Sequence, residues 1–288
     1  MKDLIRQIRT YLNLSQTEFA EKLNVTFQTV NRWENGHVVP NKLAQTGLFE
    51  FCMKNKVPVY EMTLNRISSE TAKIKVPKGH ILLYHGSKDG IKGKITPSSR
   101  KQCDFGSGFY MGTDISQALT LICDFEKSKM YIVSVNMKGL NKKEVAADIS
   151  WALLVAYNRG KMEAVRGTSL YEQYRKMTYK KDLVIGNIAD DRMFYVIDNF
   201  FLGNITDAAL VGSLSALKLG KQYVAVSQKA CDAVRIEKEI ELSYIEKLFL
   251  KEKAEENRII AYVKASDICR DFRREGKYFD EILAEEGK

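Results

Sequence analysis

Residues 14–40 read LSQTEFAEKLNVTFQTVNRWENGHVVP, and this stretch decides the architecture of the N-terminal part of the chain. Ser15 followed by Glu18 is a capping-box pattern, in which a hydroxyl and a carboxylate each satisfy a free backbone N–H at a helix start. Phe19, Ala20 and Leu23 give that helix a face to bury. Asn24-Val25 makes a short turn. Thr26 can cap a second helix over Phe27–Glu34, which Asn35-Gly36 ends before Pro40. Two short helices joined by a tight turn form a helix–turn–helix unit, whose second helix is the one that enters a major groove. Working outward, Leu4, Ile5, Ile8, Tyr11 and Leu12 at helical spacing predict a helix over 2–12, and another is predicted over 41–54.

Across nearly its whole length the stretch resembles the DNA-binding domain of the phage-repressor (Cro/cI-like, XRE-type) family. The carriers are Gln16 after the capping Ser, Ala20 before the turn, the W-E-N-G run at 33–36 and Pro40. The resemblance implies that Gln16 and its helix N-terminus meet a DNA phosphate. It implies that Gln28, Thr29 and Arg32 face base edges, with Phe27 near a thymine methyl. Arg suits guanine and Gln suits adenine, because each can pair bidentately. Val25, Val30 and Trp33 belong to the core in this reading. Binding as a homodimer to a two-fold site is also implied. The alternative is a four-helix interaction domain without DNA binding.

The whole chain has 288 residues, 45% hydrophobic and 28% charged. A length prior of about 150 residues per domain suggests two domains. This composition excludes collagen-like, coiled-coil and wholly disordered chains. No apolar run reaches a membrane span, and MKDLIRQIRTYLNL has no apolar signal region, so a cytoplasmic protein is expected. Cys52, Cys103, Cys123, Cys231 and Cys269 are scattered and never paired as CxxC, so neither a disulfide framework nor a metal site is expected. The net charge of +9 is uneven: +2 over 1–65, +6 over 66–100, +4 over 101–235 and −3 over 236–288. A basic balance permits a nucleic-acid partner without requiring one.

Residues 64–79, LNRISSETAKIKVPKG, are polar and basic, and the boundary after a domain over 1–65 is placed at a linker over 66–77. The second domain, 78–236, opens with a strand, Ile81-Leu82-Leu83-Tyr84, ending in His85-Gly86-Ser87. A loop carries Asp104-Phe105-Gly106-Ser107-Gly108-Phe109-Tyr110. A helix then begins near Ser116, with Asp114 as its cap and Cys103 as packing. Further strands are predicted at 130–137, 183–186 and 222–227, and helices around Trp151, around Tyr171 and over 206–219. The Glu- and Lys-rich tail, 237–288, reads as two amphipathic helices, 237–260 and 266–284.

This order, carried by LYHGS and GSGFYMGTDISQA, resembles the ADP-ribosyltransferase family, in the branch related to diphtheria toxin and the poly-ADP-ribose polymerases. DLVIGNIADDRMF and KQYVAVSQKACDAV resemble a bacterial domain family of uncharacterised function assigned to that fold. The fold class implied is multidomain: an all-α helix–turn–helix domain, then an α+β ADP-ribosyltransferase-like domain with a helical C-terminal extension.

The resemblance implies NAD as substrate. His85 would bond the adenosine ribose, and Gly86 and Ser87 would hold the nicotinamide carboxamide. Tyr110 would stack on the nicotinamide ring. The catalytic Glu position of that family is occupied here by Gln222, which keeps an acceptor and loses a charge. Asp190 and Asp191 are the candidates for the missing carboxylate, or for gripping an acceptor. The later stacking Tyr is replaced by Leu121, with Phe125 as a substitute. The function implied is transfer of ADP-ribose to an unknown macromolecular acceptor, as a toxin or phage-defence effector. The alternative is a transcriptional regulator whose non-catalytic domain senses NAD or a related nucleotide.

Overall fold

Helix α1 (Lys2–Tyr11) packs Leu4, Ile5 and Ile8 against α2 (Gln16–Lys22) and α3 (Phe27–Glu34). The computed structural model describes residues 1–99, 102–189, 194–215 and 220–286. Ser15 and Glu18 form both halves of the capping box, and the Thr26 hydroxyl accepts from the Thr29 N–H at the start of α3. Val30 and Trp33 are buried. Helices α4 (Lys42–Lys54) and α5 (Val59–Ala72) complete the bundle.

Helix α5 corrects the linker placed at 66–77. It runs without a break to Ala72, because Thr63 and Ile67 are buried on one side of it. Ile67 packs with Ala118, Ile122 and Met130 of the second domain. The extended connection is therefore confined to the few residues before β1 (His80–Ser87).

The second domain is built on a seven-stranded mixed sheet in the order β4-β5-β6-β2-β1-β3-β7. Its strands are β1, β2 (Phe109–Gly112), β3 (Lys129–Asn136), β4 (Lys142–Glu144), β5 (Leu183–Asn187), β6 (Lys221–Ala225) and β7 (Val234–Ile240). The β4–β5 pair is parallel and the other pairs are antiparallel. Between β2 and β3 lies α6 (Ile115–Thr120), capped by the Asp114 side chain. Helices α7 (Ile149–Asn158), α8 (Ser169–Met177), α9 (Phe194–Phe201) and α10 (Asp207–Ser215) cover one face. The short α11 (Gln228–Asp232) lies on the other.

Strand alternation assigns the faces. Phe109 and Met111 of β2 join the core that holds Leu83, Tyr131 and Val133, whereas Tyr110 packs in the core of Trp151 and Val224.

The tail departs from the sequence reading. Residues 234–240 form edge strand β7, where a helix was expected from 237; its register on β3 shifts between Ile132 and Val133, so Val234 and Ile240 join the cores on opposite sheet faces, and the charged residues between them line the edge. One long helix, α12 (Tyr244–Asp271), replaces the break expected between 260 and 266, and α13 (Phe279–Glu286) follows. Ile245 and Phe249 of α12 enter the helix–turn–helix core, while its Leu250 joins the core beneath α6. Among the described residues, no helix is long and apolar enough to cross a membrane.

Candidate functional site

Two surfaces hold the residues singled out by sequence. On the N-terminal bundle, α3 presents Phe27, Gln28 and Arg32 to solvent, and Thr29 is half-buried. The Thr29 hydroxyl bonds the Thr26 hydroxyl at 2.9 Å, so it also secures the start of the helix.

Gln16 is placed differently from the expected phosphate contact. Its Nε2 donates to Glu34 Oε2 at 2.7 Å, and its Oε1 accepts from Asn31 Nδ2 at 3.3 Å. Glu34 is 1% exposed and also takes two bonds from Arg9, at 2.6 and 3.0 Å. A buried carboxylate with fewer donors would cost several kcal/mol, which is why Gln16 turns inward. Burial pushes the Glu34 carboxyl upward, but the bonds from Arg9 and Gln16 outweigh it and hold it below the usual range.

In the second domain, β1 and β2 pair only at Tyr84 and Gly112. Beyond that rung His85 bridges the gap with its ring: Nδ1 lies 2.7 Å from the Tyr110 carbonyl oxygen. A carbonyl only accepts, so Nδ1 carries the proton, and Nε2 is an acceptor with no hydrogen-bond partner among the described residues. The ring stacks on Phe109 with centroids 4.1 Å apart. Burial lowers the His85 pKa and outweighs the Tyr110 bond, which raises it; the ring is neutral near pH 7.

Gly86 is required for packing. A Cβ there would lie 2.5 Å from the Ala118 carbonyl oxygen and 2.8 Å from Ile122 Cγ2, so α6 sits directly against this strand. Ser87 ends β1 opposite Lys129. Beyond it, the Lys88 ammonium stands 4.2 Å from the Phe125 ring centroid. Leu121 is largely exposed.

Tyr110 and Gln222 lie on the sheet face opposite His85. The Tyr110 hydroxyl donates to the Gly106 carbonyl at 2.7 Å and accepts from the Phe105 N–H at 3.0 Å, which fixes the loop before β2. Burial raises its pKa strongly.

Gln222 is 5% exposed. Its Nε2 donates to Asp104 Oδ2 at 2.8 Å and to the Asn187 carbonyl at 2.9 Å. Asp104, also 5% exposed, pairs with Arg159 through Nε at 2.9 Å and through Nη2, and accepts the Ala189 N–H at 3.1 Å. The carboxylate beside Gln222 is thus Asp104. Asp190 and Asp191 lie outside the described residues.

Sequence reading missed Asp104, Asn187 and Arg159. The first had a signal, since it opens the DFGSGFY run; the other two meet it only through the fold.

The geometry can be set beside known proteins. A family model described as Protein of unknown function (DUF3990) matches residues 81–236, and a helix-turn-helix model matches residues 5–43. An uncharacterized HTH-type transcriptional regulator, y4wC of Sinorhizobium fredii (strain NBRC 101917 / NGR234), is 37% identical over 95 residues, covering 31% of this chain and 64% of that protein. The chain therefore spans less than two thirds of that relative's length. No solved structure matches.

Proposed function

We propose that this chain, which belongs to the family of proteins of unknown function DUF3990, is a DNA-binding transcriptional regulator. In this reading its second domain binds NAD or a related nucleotide without turning it over. The observation that carries the reading is the exposed end of α3, where Phe27, Gln28 and Arg32 stand free on a capped and buried helix–turn–helix scaffold. The helix-turn-helix match and the regulator relative support it.

The nucleotide half rests on the sequence resemblance and on the uncommitted acceptor Gln222 Oε1; His85 Nε2 lies on the other face of the sheet. A binding role is favoured over transfer by the charge balance at Gln222. Cleaving the bond between nicotinamide and ribose develops positive charge, which an enzyme must stabilise. Gln222 is neutral, and its neighbour Asp104 is already paired with Arg159.

The means of communication is the packing of α12. The Ile245 N–H donates to Gln45 of α4 at 3.1 Å, and Arg66 of α5 pairs with Glu246 at 2.7 Å. From the same helix, Lys247 donates to the Phe125 and Glu126 carbonyls at 2.7 and 2.9 Å. The loop beside Lys88 is thereby tied to the DNA-binding bundle.

The test is fluorescence anisotropy on duplexes selected from a random pool by the full chain, with and without NAD. Selective binding is expected, with an affinity that NAD changes several-fold. In the same assay Arg32→Ala should lose about 1–3 kcal/mol on the selected duplex and much less on random DNA. Equal affinity for selected and random duplexes overturns the regulator reading. Nicotinamide release from NAD in the presence of cell lysate would replace binding with ADP-ribosyl transfer.

A further inference from the structure

The Gln222 amide cannot be turned over in its site. Both groups that face Nε2, the Asp104 carboxylate at 2.8 Å and the Asn187 carbonyl at 2.9 Å, are acceptors, so only the NH2 end can face them. Oε1 is left pointing away with no protein donor among the described residues. Arg159 holds Asp104 from the other side, through Nε at 2.9 Å. Gly112 and Gly186, the rung partners of Gln222 on β2 and β5, have no side chains to contest the position.

We infer that Asp104 is the positioning residue of this site. It fixes the Gln222 amide so that Oε1 accepts a hydroxyl from the ligand, and it moves the negative charge from strand β6 to the loop before β2. The ligand part of the inference rests on the nucleotide reading above; the charge part does not. One consequence opposes the family comparison. Restoring a glutamate at 222 places a second carboxylate against Asp104 and against the Asn187 carbonyl. Two carboxylates this close cannot both ionise, so one is forced to keep a proton. Among the described residues, the ionisable groups that act on Tyr110 beside this cluster are, apart from Asp104, Cys103 in the loop and Arg159 at the end of α7.

The experiment compares melting temperatures of the full chain from pH 8 to pH 5 for wild type, Gln222→Glu, Asp104→Asn and the double variant. Gln222→Glu is expected to melt about 5 °C or more below wild type at pH 8 and to recover much of that loss at pH 5, as the pair takes up a proton. The double variant keeps one carboxylate and should lose the recovery. A Gln222→Glu protein that melts with wild type at pH 8, or a recovery that persists without Asp104, overturns the assignment.

A second arm measures NAD binding by calorimetry. Asp104→Asn allows the facing amides to reorient, and NAD affinity is expected to fall tenfold or more. Unchanged affinity overturns the orienting role. Absence of NAD binding by wild type would remove the nucleotide reading, and the melting arm would still decide the charge relation between Asp104 and residue 222.

Discussion

The two regions of the molecule contain the same trio of side chains in different states of completion. In the helix–turn–helix bundle, the buried Glu34 is held by Arg9 and by the amide of Gln16. In the sheet domain, the buried Asp104 is held by Arg159 and by the amide of Gln222. The two differ at the remaining oxygen of the glutamine. Oε1 of Gln16 is closed off by Asn31 at 3.3 Å, while Oε1 of Gln222 meets no partner among the described residues. The first network is complete within the protein and serves to fix α1, α2 and α3 together. The second keeps an open acceptor. Oε1 of Gln222 is not among the buried atoms left without a partner, so it stays open to an incoming donor while the amide nitrogen is fixed.

The largest test of this parallel removes the cation from each trio. Arg9→Met and Arg159→Met each leave a buried carboxylate without its counter-ion, and each should destabilise the full chain by about 3–5 kcal/mol in urea denaturation. If either variant loses less than about 1 kcal/mol, that carboxylate is better solvated than its burial indicates and the parallel fails.

A smaller effect separates the two glutamines. Gln16→Leu and Gln222→Leu each remove donors to a buried carboxylate and should cost about 1–3 kcal/mol. Calorimetry should then distinguish them: Gln222→Leu weakens NAD binding, and Gln16→Leu leaves it at the wild-type value. An equal effect of both on NAD would mean that ligand affinity follows global stability and not the open acceptor.

How much of this was legible in the sequence follows the range of each interaction. The capped starts of α2 and α3 depend on Ser15, Glu18 and Thr26, all within three residues of their partners, and local chemistry predicted them. Strands β1, β3 and β5 announced themselves as apolar runs. Helix α5 was missed because residues 64–79 read as a polar, basic linker; its length is set by Ile67 packing on the second domain, a tertiary cause. The end of strand β7 was read as helix from 237 because Glu237, Lys238 and Glu239 follow one another, and the register shift beside Ile236 breaks the alternation that marks a strand. Among the candidate residues, His85, Tyr110 and Gln222 were singled out by motif, but their division between two sheet faces was not legible. Nor were the partners of Gln222: Asp104 is 118 residues away in sequence, and Arg159 lies 55 beyond Asp104. No local pattern encodes such distances.

The smallest expected effect is the response of the two regions to acid. The Glu34 carboxyl is held below its ordinary value, so its contribution is present above about pH 4.3 and is lost as pH falls through the lower folded value. His85 is also lowered, but it is a base. The unfolded chain binds the proton first, so stability contributed by the neutral ring is complete above about pH 6.5 and declines as pH falls toward the folded value. The chain should therefore show an upper acid limb from His85 and a lower one to which Glu34 contributes together with other carboxylates held low, Glu70 and Asp182 at about 2 among them. Denaturant titrations at closely spaced pH values resolve them. His85→Gln should flatten the upper limb and leave the lower one in place, and Glu34→Gln should reduce only the lower one. If His85→Gln leaves the limb below pH 6.5 unchanged, the ring is reached by water in the folded chain, and burial between the two strands does not hold it neutral against the bond to the Tyr110 carbonyl.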